Sequence, residues 1–419
     1  MENSAQNLIA PGSLDSSFGF LGNANYFRPG TQLMTIVGLR PQGEILFVGY
    51  QSENNQLSFE LAQLNEHGHP DTSFGEGDTG NLLGTFMTGS EASGTGAQIL
   101  KDGKIMLLGL HIVRGQPNQL ALARFLEKGQ LDETFGDKGV VVIPNVPNAR
   151  LDSPYQPLLS EQKNNPTTLS NPRSNIVIDP DGKIIIVRNV LLMRRENNGE
   201  PDLSFNQTGH LVLEETAINA IAVSDDRKIT IAGSDSEGAI LARFNADGSP
   251  DLGFGYNGRV SFGVGYPSSA TCLFIHDDGR IFAAGVSDMD TSDVWGNGRR
   301  GLIAAFSANG RLDPAFNNGA PLVSEFESLG SNGWWDIGGT PDEIVVVGEA
   351  GERSREGGLI ARYLGNGSLD TIFGNGAGYV RRTFPGLRGL WESGLVQPDR
   401  RIVVTGDTPQ NIVSRYLGT

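Results

Sequence analysis

The sequence predicts an all-β protein, a seven-bladed β-propeller with four antiparallel strands in each blade. Three observations predict this fold: a short signature occurs seven times, the spacing of its copies suits four short strands, and the two chain ends complement each other. The signature is Asp, two variable residues and Phe, followed by Gly or Asn. Its aspartates are Asp15, Asp71, Asp132, Asp202, Asp251, Asp313 and Asp370. Such a repeat indicates one ring or stack of units rather than separate domains.

The second repeat shows how the strands of one unit are arranged. Two apolar runs, 97–100 and 105–109, flank Asp102-Gly103, a pair that supplies the positive φ angles of a type I′ hairpin turn. A third run is 120–126, and Val140–Ile143 follows the signature and is predicted to begin the next unit. In order, the strands are named a (the Val140–Ile143 type), b, c and d. Every interval between successive signature aspartates has room for four such short strands with their turns.

The two ends of the chain are predicted to close the ring. In four units an Arg precedes the signature Asp by eight residues: Arg124/Asp132, Arg194/Asp202, Arg243/Asp251 and Arg362/Asp370. The equivalent Arg415 lies near the C-terminus, whereas the first signature has no strand d before it. We therefore expect Asp15 to contact Arg415 across the seam. Residues 12–419 are then a single propeller, with residues 1–11 as an N-terminal tail. The signature Phe is expected to fill the gap between adjacent blades.

Composition limits the classes of partner and compartment. The net charge of −16 argues against binding to nucleic acid or to anionic membrane surfaces. The single cysteine, Cys272, excludes an internal disulfide framework and lies in a strand-like run, which predicts a buried, inert thiol. The N-terminal residues lack the pattern of a signal peptide, and no apolar run is long enough for a transmembrane helix. We expect a soluble monomer, either cytoplasmic or exported without a cleaved signal peptide.

One combination of motifs resembles a known family. Asp102-Gly103-Lys104-Ile105, then Leu122-Ala123-Arg124-Phe125, then the signature Leu131-Asp132 with Phe135-Gly136 is similar to the delta-60 repeat family of bacterial proteins, also described as an uncharacterised β-propeller domain. The resemblance covers residues 12–419. It implies a propeller fold but brings no known activity, cofactor or catalytic residue. Members of that family often carry an export signal, and this chain departs from them in lacking one.

Antiparallel strands place the a–b and c–d loops on one face of the ring and the b–c and d–a connections on the other. The second face is nearly uniform in sequence, so a binding site is expected among the irregular loops of the first. The largest insertion is 144–174, predicted between strands a and b of the third blade, where the c–d loop is very short. We expect it to fold over that space, anchored by Leu151, Tyr155, Leu158 or Leu159. A flexible insertion is the alternative.

The c–d loop of the fifth blade is the second candidate. Its candidate binding residues are Asp288, Asp290, Asp293, Trp295, Arg299 and Arg300. The three carboxylates could hold a cation such as Ca²⁺, and the Trp could stack on a sugar or a protein partner. The alternative is a solvated acidic loop whose Trp packs on the neighbouring blade. A second calcium hypothesis concerns Asn245, Asp247 and Asp251, although this spacing does not recur in other repeats. No other cofactor is expected.

Linear catalytic motifs are absent from the sequence: there is no Gly-x-Ser-x-Gly, no Walker loop, no His-Glu-x-x-His and no cysteine pair. The leading hypothesis is a non-enzymatic binding scaffold that engages a protein or glycan partner through the irregular-loop face. The alternative is a hydrolase or lyase with a metal-assisted site at the central channel, where ligands contributed one per blade would leave no linear motif. A structural component of a larger assembly is the third possibility.

Overall fold

The computed structural model describes residues 10–25, 30–147, 175–289, 298–326, 329–351, 357–384, 387, 389–408 and 411–419. These residues form seven four-stranded antiparallel sheets, arranged as the blades of a seven-bladed β-propeller. The described part of the chain contains no α-helix, and accordingly no helix suited to crossing a bilayer. The fold predicted from the sequence is confirmed.

The strands are numbered in chain order, and β1 (Asn23–Ala24) belongs to the last blade. Blade 1 contains β2 (Thr31–Leu39), β3 (Ile45–Glu53), β4 (Gln56–Leu64) and β5 (Asn81–Gly84). Blade 2 contains β6 (Glu91–Ile99), β7 (Ile105–Ile112), β8 (Gln119–Phe125) and β9 (Val140–Ile143). Blade 3 contains β10 (Ile176–Ile178), β11 (Ile184–Arg188), β12 (Leu191–Arg195) and β13 (His210–Val212). Blade 4 contains β14 (Ala217–Val223), β15 (Ile229–Asp235), β16 (Gly238–Phe244) and β17 (Arg259–Ser261).

The remaining blades follow the same order. Blade 5 contains β18 (Ser268–Ile275), β19 (Ile281–Asp288), β20 (Arg299–Phe306) and β21 (Leu322–Ser324), and blade 6 contains β22 (Asn332–Thr340), β23 (Glu343–Ala350), β24 (Gly357–Leu364) and β25 (Tyr379–Arg382). Blade 7 contains β26 (Ser393–Val396), β27 (Ile402–Thr405), β28 (Val413–Tyr416) and β1. The first strands of neighbouring blades contact one another all the way around, so they form a closed inner ring.

The predicted position of strand a within its unit is wrong. Strand β9 pairs with β8, with Ala121 opposite Val142, and so it is the outer strand of blade 2 rather than the first strand of blade 3. The physical reason is that the signature connector turns the chain back along the sheet it has just left, where strand d still has an unpaired edge. It follows that 144–174 connects blade 2 to blade 3 instead of lying within blade 3.

The ring is closed without a covalent link between its ends. Three strands of blade 7 come from the C-terminal segment, and β1 completes the sheet by pairing with β28, with Asn23 opposite Ser414. The Gly12 amide donates a hydrogen bond to the Leu417 carbonyl at 2.7 Å, and the Asp15 amide donates to the Arg415 carbonyl at 2.8 Å. The N- and C-terminal segments therefore meet in one blade, as the sequence predicts.

The apolar core is divided into seven clusters, and each lies between two adjacent blades. Between blades 3 and 4, for example, Ile185 and Leu192 pack with Ile218 and Ile231 around Phe205. Every cluster contains one signature Phe, and all seven are at most 1% exposed: Phe18, Phe74, Phe135, Phe205, Phe254, Phe316 and Phe373. The signature Phe thus fills each junction between blades.

Candidate functional site

The two faces of the ring differ sharply in the regularity of their loops. The b–c turns all have the length of 40–44 except in blade 6, where the turn is shortened to 341–342. The six uninterrupted d–a connectors are also nearly equal in length, from 126–139 at the short end to 65–80 at the long end. We name the surface made of these connections the signature face.

The opposite surface, which we name the variable-loop face, has loops of very unequal length. Its c–d loops range from the pair Asn54-Asn55 in blade 1 to the segment 289–298 in blade 5. Its a–b loops range from 213–216, between blades 3 and 4, to 144–175, between blades 2 and 3. Most of the variation in loop length between blades therefore lies on one face.

Five of the seven signature Asp side chains accept a hydrogen bond from a strand-d Arg, and Asp202 illustrates the arrangement. The Oδ2 atom of Asp202 accepts a hydrogen bond from Arg194 Nε at 2.7 Å. Its Oδ1 atom accepts from the Ser204 amide at 3.0 Å and from the Ser204 hydroxyl at 2.6 Å. The guanidinium of Arg194 lies 5.2 Å from the centroid of the buried Phe205 ring. The Asp therefore fixes both the turn and the Arg, which in turn covers the Phe.

The same geometry occurs across the seam between the chain ends. Arg415 Nε lies 2.8 Å from Asp15 Oδ2, and its guanidinium lies 4.5 Å from the Phe18 ring. The contact expected from the sequence is present, and it matches the four pairs within the chain, whose Nε–Oδ2 distances are 2.7 to 2.8 Å. Arg415 also donates to the Glu66 carbonyl of blade 1 at 2.6 Å, so it links three segments.

A second cation approaches several signature carboxylates, and the sequence analysis missed it. It is the last residue of the b–c turn, immediately before strand c. The distances to Asp Oδ2 are 3.2 Å for Lys104–Asp132, 3.3 Å for Lys183–Asp202, 3.1 Å for Lys228–Asp251 and 3.2 Å for Arg401–Asp15. The sequence signal for this cation is the basic residue that repeatedly ends the b–c turn. These pairs tie the two kinds of connection on the signature face together.

Blade 1 lacks the strand-d Arg, and two residues share its contacts. Gln63, at the same repeat position, donates to Asp71 at 2.6 Å, and Arg40, from an earlier part of the sequence, supplies the positive charge. The guanidinium of Arg40 lies 6.0 Å from the Phe74 ring and donates to the Glu127 carbonyl of blade 2 at 2.9 Å. The equivalent carbonyl is the one that Arg124 and Arg415 reach in their neighbouring blades. The cation is therefore preserved in space although the repeat position has lost it.

The loop suggested for calcium at 245–251 already has its oxygen atoms engaged. Lys228 Nζ lies 2.9 Å from Asn245 Oδ1 and 3.1 Å from Asp251 Oδ2, and so a side-chain cation stands between two of the three expected ligands. The third, Asp247, accepts hydrogen bonds from the amide and hydroxyl of Ser249. The geometry at this loop is that of the signature constellation and does not favour a bound metal.

Acidification is expected to destabilise the protein through the signature carboxylates. Burial alone would raise the pKa of Asp202, but hydrogen bonds from Ser204 and Arg194 outweigh it and lower the pKa to about 2. The pKa values of Asp15, Asp71, Asp132 and Asp251 are lowered in the same way. Because the folded pKa lies below the unfolded value near 3.9, this stabilisation is fully present above about pH 5 and is lost as pH falls from about 4 towards 2.

Urea unfolding at a series of pH values measures this effect. Asp202 alone should contribute about 2–3 kcal/mol to the pH dependence, because its pKa is lowered from near 3.9 to about 2 and one pKa unit corresponds to about 1.4 kcal/mol. Asp202→Asn is expected to be less stable at neutral pH and to show a shallower decline in acid. A free energy of unfolding that stays constant between pH 5 and pH 3 would contradict this expectation.

On the variable-loop face, the structure brings together part of the predicted fifth-blade site. Asp288 and Arg299 are paired residues at the ends of β19 and β20, and Arg300 follows directly. The Asp288 amide donates to the Pro267 carbonyl at 2.8 Å, which brings the residue before Pro267, Tyr266, near the end of β19, and 43% of the Tyr266 surface is exposed. The remaining predicted residues lie outside the described ranges: Asp290, Asp293, Trp295, Tyr155 and the anchors Leu151, Leu158 and Leu159.

An ion pair joins this corner to the next blade. Arg299 Nη1 lies 3.2 Å from Oε1 of Glu349 on β23, and that carboxylate is buried. The fifth-blade loop is therefore anchored at its base to blade 6. Sequence reasoning missed Tyr266 and Glu349. Tyr266 is a single tyrosine in a loop and belongs to no sequence pattern. Glu349 pairs with Arg299 of a different blade, and only the folded ring brings the two residues together.

Polar side chains on the inner strands link neighbouring blades around the channel. Asn219 Nδ2 donates to the Ala270 carbonyl at 2.8 Å, and the Thr271 hydroxyl donates to the Trp334 carbonyl at 2.6 Å. The Gly394 amide donates to Asp336 Oδ2 at 2.9 Å. These groups stabilise the ring. Within the ranges that the structure describes, His, Cys, Asp and Glu side chains form no cluster of three able to hold a metal ion.

The prediction for Cys272 agrees with the structure. Cys272 is buried, and burial raises the pKa of its thiol, in keeping with an inert residue. Trp334 and Trp391 are also fully buried, and they pack in the clusters between blades 5 and 6 and between blades 6 and 7. The c–d loop of blade 3 is short as predicted, because only Asn189 and Val190 separate β11 from β12.

Three segments of the chain, 41–74, 100–135 and 225–254, match the sequence profile described as "Domain of unknown function (DUF5122) beta-propeller". These matches support a relationship of the chain to an uncharacterised β-propeller family. No curated protein matches the chain.

Several solved structures resemble the chain at low identity. Sqt1 from Chaetomium thermophilum is 11% identical with a TM-score of 0.46, covering 95% of this chain and 98% of that one. The extracellular domains 1–2 of Drosophila semaphorin 1a are 10% identical with a TM-score of 0.39, covering 94% and 89%. A putative gluconolactonase is 12% identical with a TM-score of 0.34, covering 79% and 93%. At these values none of the three similarities assigns a function.

Proposed function

We propose that this protein is a non-enzymatic β-propeller scaffold that binds a protein or glycan partner through its variable-loop face. The observation that carries the proposal is that most of the variation in loop length lies on that face. The signature face repeats one turn length in six blades, whereas the loop 144–175 on the opposite face is many times longer than its counterpart 213–216. Loops of unlike length on a rigid ring are the usual way in which a scaffold acquires a specific binding surface.

The fifth-blade corner is the proposed centre of this surface. Tyr266 supplies an exposed aromatic ring, Asp288 and Arg300 supply polar groups, and the Arg299–Glu349 pair fixes the base of the loop. Aromatic and Arg side chains contribute strongly to protein recognition, and aromatic rings also stack on sugars. The predicted residues Asp290, Asp293 and Trp295, with a possible Ca²⁺, and Tyr155 of the 144–174 segment belong to the same proposal.

Shortened loops test the proposal. In one variant 144–174 is replaced by a six-residue linker, and in another 289–298 is replaced by Asn-Asn, the two-residue loop of blade 1. Thr72→Ala, an exposed change on the signature face, is the matched control. Each protein is used for affinity capture with quantitative mass spectrometry and for a glycan array. We expect shortening of at least one loop to weaken the main partner about 10-fold or more, a change of about 1.4 kcal/mol, while the control keeps it.

Unchanged partners and unchanged glycan signals in both shortened variants would overturn the proposal, provided that their melting temperatures match that of the intact protein. The alternative, a hydrolase or lyase with a metal-assisted site at the channel, requires carboxylates or histidines that converge on the axis. In the described part of the chain, His, Cys, Asp and Glu side chains form no cluster of three able to hold a metal ion, so no specific group favours that alternative.

A further inference from the structure

Several large apolar side chains are exposed on the described part of the signature face, the surface that the proposed function does not use. The large apolar residues exposed there are Phe20, Leu21, Leu126, Leu131, Leu203, Leu252, Tyr256, Leu364 and Ile372. In the described ranges only Met87, Tyr266 and Leu387 are comparably exposed on the variable-loop face. Single exposed apolar residues are ordinary, but several of them on adjacent connectors of one face point to an interaction surface.

The strongest group lies on the connectors of blades 3 and 4. Leu203 is 66% exposed, Leu252 is 73% exposed and Tyr256 is 83% exposed. The two leucines occupy the same place, directly after the signature Asp. Other repeats carry there Ser16, Thr72, Glu133, Pro314 and Thr371. Since polar residues serve the fold equally well at this position, the leucines are not required for folding.

The two connectors adjoin. The cations that face them, Lys183, Arg194, Lys228 and Arg243, pair with Glu196, Asp202 and Asp251, whereas Glu200 and Asp247 lie outside these ion pairs. The Asn206 amide of blade 3 donates to the Asp247 carbonyl of blade 4 at 2.8 Å, which joins them directly. Neither connector, 196–209 or 245–258, contains a Lys or Arg. Glu200 and Asp247 are exposed beside the apolar residues. We name the group Leu203, Leu252, Tyr256, Glu200 and Asp247 the acidic–apolar rim.

We propose that the acidic–apolar rim is a second docking surface, and that its occupant is a basic amphipathic segment of a partner protein. The leucines and the tyrosine offer apolar area to bury, and the carboxylates attract Lys or Arg on the same segment. A second copy of this chain would bring two acidic rims together, and an anionic membrane would meet the same repulsion. This proposal goes beyond the variable-loop function and does not depend on it.

A synthetic peptide tests the docking surface on the full chain. The probe is a fluorescent Leu/Lys peptide of about 18 residues, or five helical turns, with its leucines on one face. A second peptide has the same composition in an order that removes the apolar face. Binding is measured by anisotropy at low and physiological salt. We expect the amphipathic peptide to bind, and the variant L203S/L252S/Y256S to bind it about 10-fold or more weakly.

Two further variants separate the apolar and charged contributions. Glu200→Lys should also weaken binding and reduce its salt dependence, because it reverses one charge of the rim. Ile372→Ser is the matched control, since this residue is 70% exposed on the same face but its connector lacks the neighbouring exposed acids, and we expect no change.

Equal binding of the reordered peptide, or unchanged binding by the triple variant, would show that the attraction is purely electrostatic and would overturn the proposal. Sedimentation velocity tests the remaining occupant: a wild-type dimer that becomes a monomer in the triple variant would assign the rim to a second copy of this chain and would likewise overturn the proposal. Either failure leaves the loop-shortening result for the variable-loop face unaffected.

Discussion

Replacing Phe205 with alanine is expected to lower the free energy of unfolding by about 3–5 kcal/mol, the range found when a fully buried aromatic residue is truncated. The ring is completely buried between blades 3 and 4, where Ile185 and Leu192 face Ile218 and Ile231. Strands of two different sheets surround it, so neither sheet can collapse into the cavity without moving as a whole. The Arg194 guanidinium would also lose the ring that it covers.

Urea and thermal unfolding measure this prediction, with Leu203→Ala as the control. Leu203 lies two residues earlier on the same connector but is largely exposed, so its truncation should change the free energy of unfolding by less than about 0.5 kcal/mol. Phe205→Leu should fall between the two. If Phe205→Ala were no more destabilising than Leu203→Ala, the signature Phe would not be the residue that holds the junction.

The second large effect is expected at the seam. Arg415→Ala should destabilise the protein by about 3–5 kcal/mol, because it removes one partner of a buried ion pair. The substitution also removes the hydrogen bond to the Glu66 carbonyl and the contact with the Phe18 ring. Arg401 lies 3.2 Å from Asp15, so the carboxylate keeps one cation in the variant. We therefore expect a loss of stability near the lower end of this range.

A double-mutant cycle with Asp15→Asn isolates the pair, and Arg194→Ala provides the equivalent change inside the chain. Both Arg variants should lose stability, but hydrogen exchange should distinguish them. Only Arg415→Ala is expected to speed exchange at the amides of Asp15 and Arg415, which bond across the seam. Strictly additive effects of Asp15→Asn and Arg415→Ala, with no local change in exchange, would deny the pair a role in closing the ring.

Much of the architecture could be predicted because it repeats. Seven signatures with turns between short apolar runs give the number of blades. Arg415 identifies the seam, because it has the position of a strand-d Arg but no signature Asp follows it in the sequence. The phase of strand a could not be predicted, since the run Val140–Ile143 indicates a strand but does not say which edge it pairs with. The hydrogen-bond ladder between β8 and β9 decides that in three dimensions.

The details of the candidate site were harder to predict for a different reason. Arg40 replaces the Arg missing at Gln63 from a distant position in the sequence, and only the folded ring brings it to Phe74. Tyr266 is brought near the end of β19 by the backbone hydrogen bond between Asp288 and its neighbour Pro267, which no pattern of residue types predicts. The exposure of Leu203 and Leu252 likewise depends on which way the connector turns after its signature Asp.

The division of the core into clusters between blades has a consequence for what counts as a folding unit. No cluster belongs to one blade, since each combines side chains from two neighbouring sheets around a shared Phe. A blade cut out of the ring would expose half of two cores and have none of its own. The repeat therefore counts structural modules but not autonomous domains. The smallest cooperative folding unit is the whole ring, and a destabilising substitution at one junction should lower the free energy of unfolding of all seven blades.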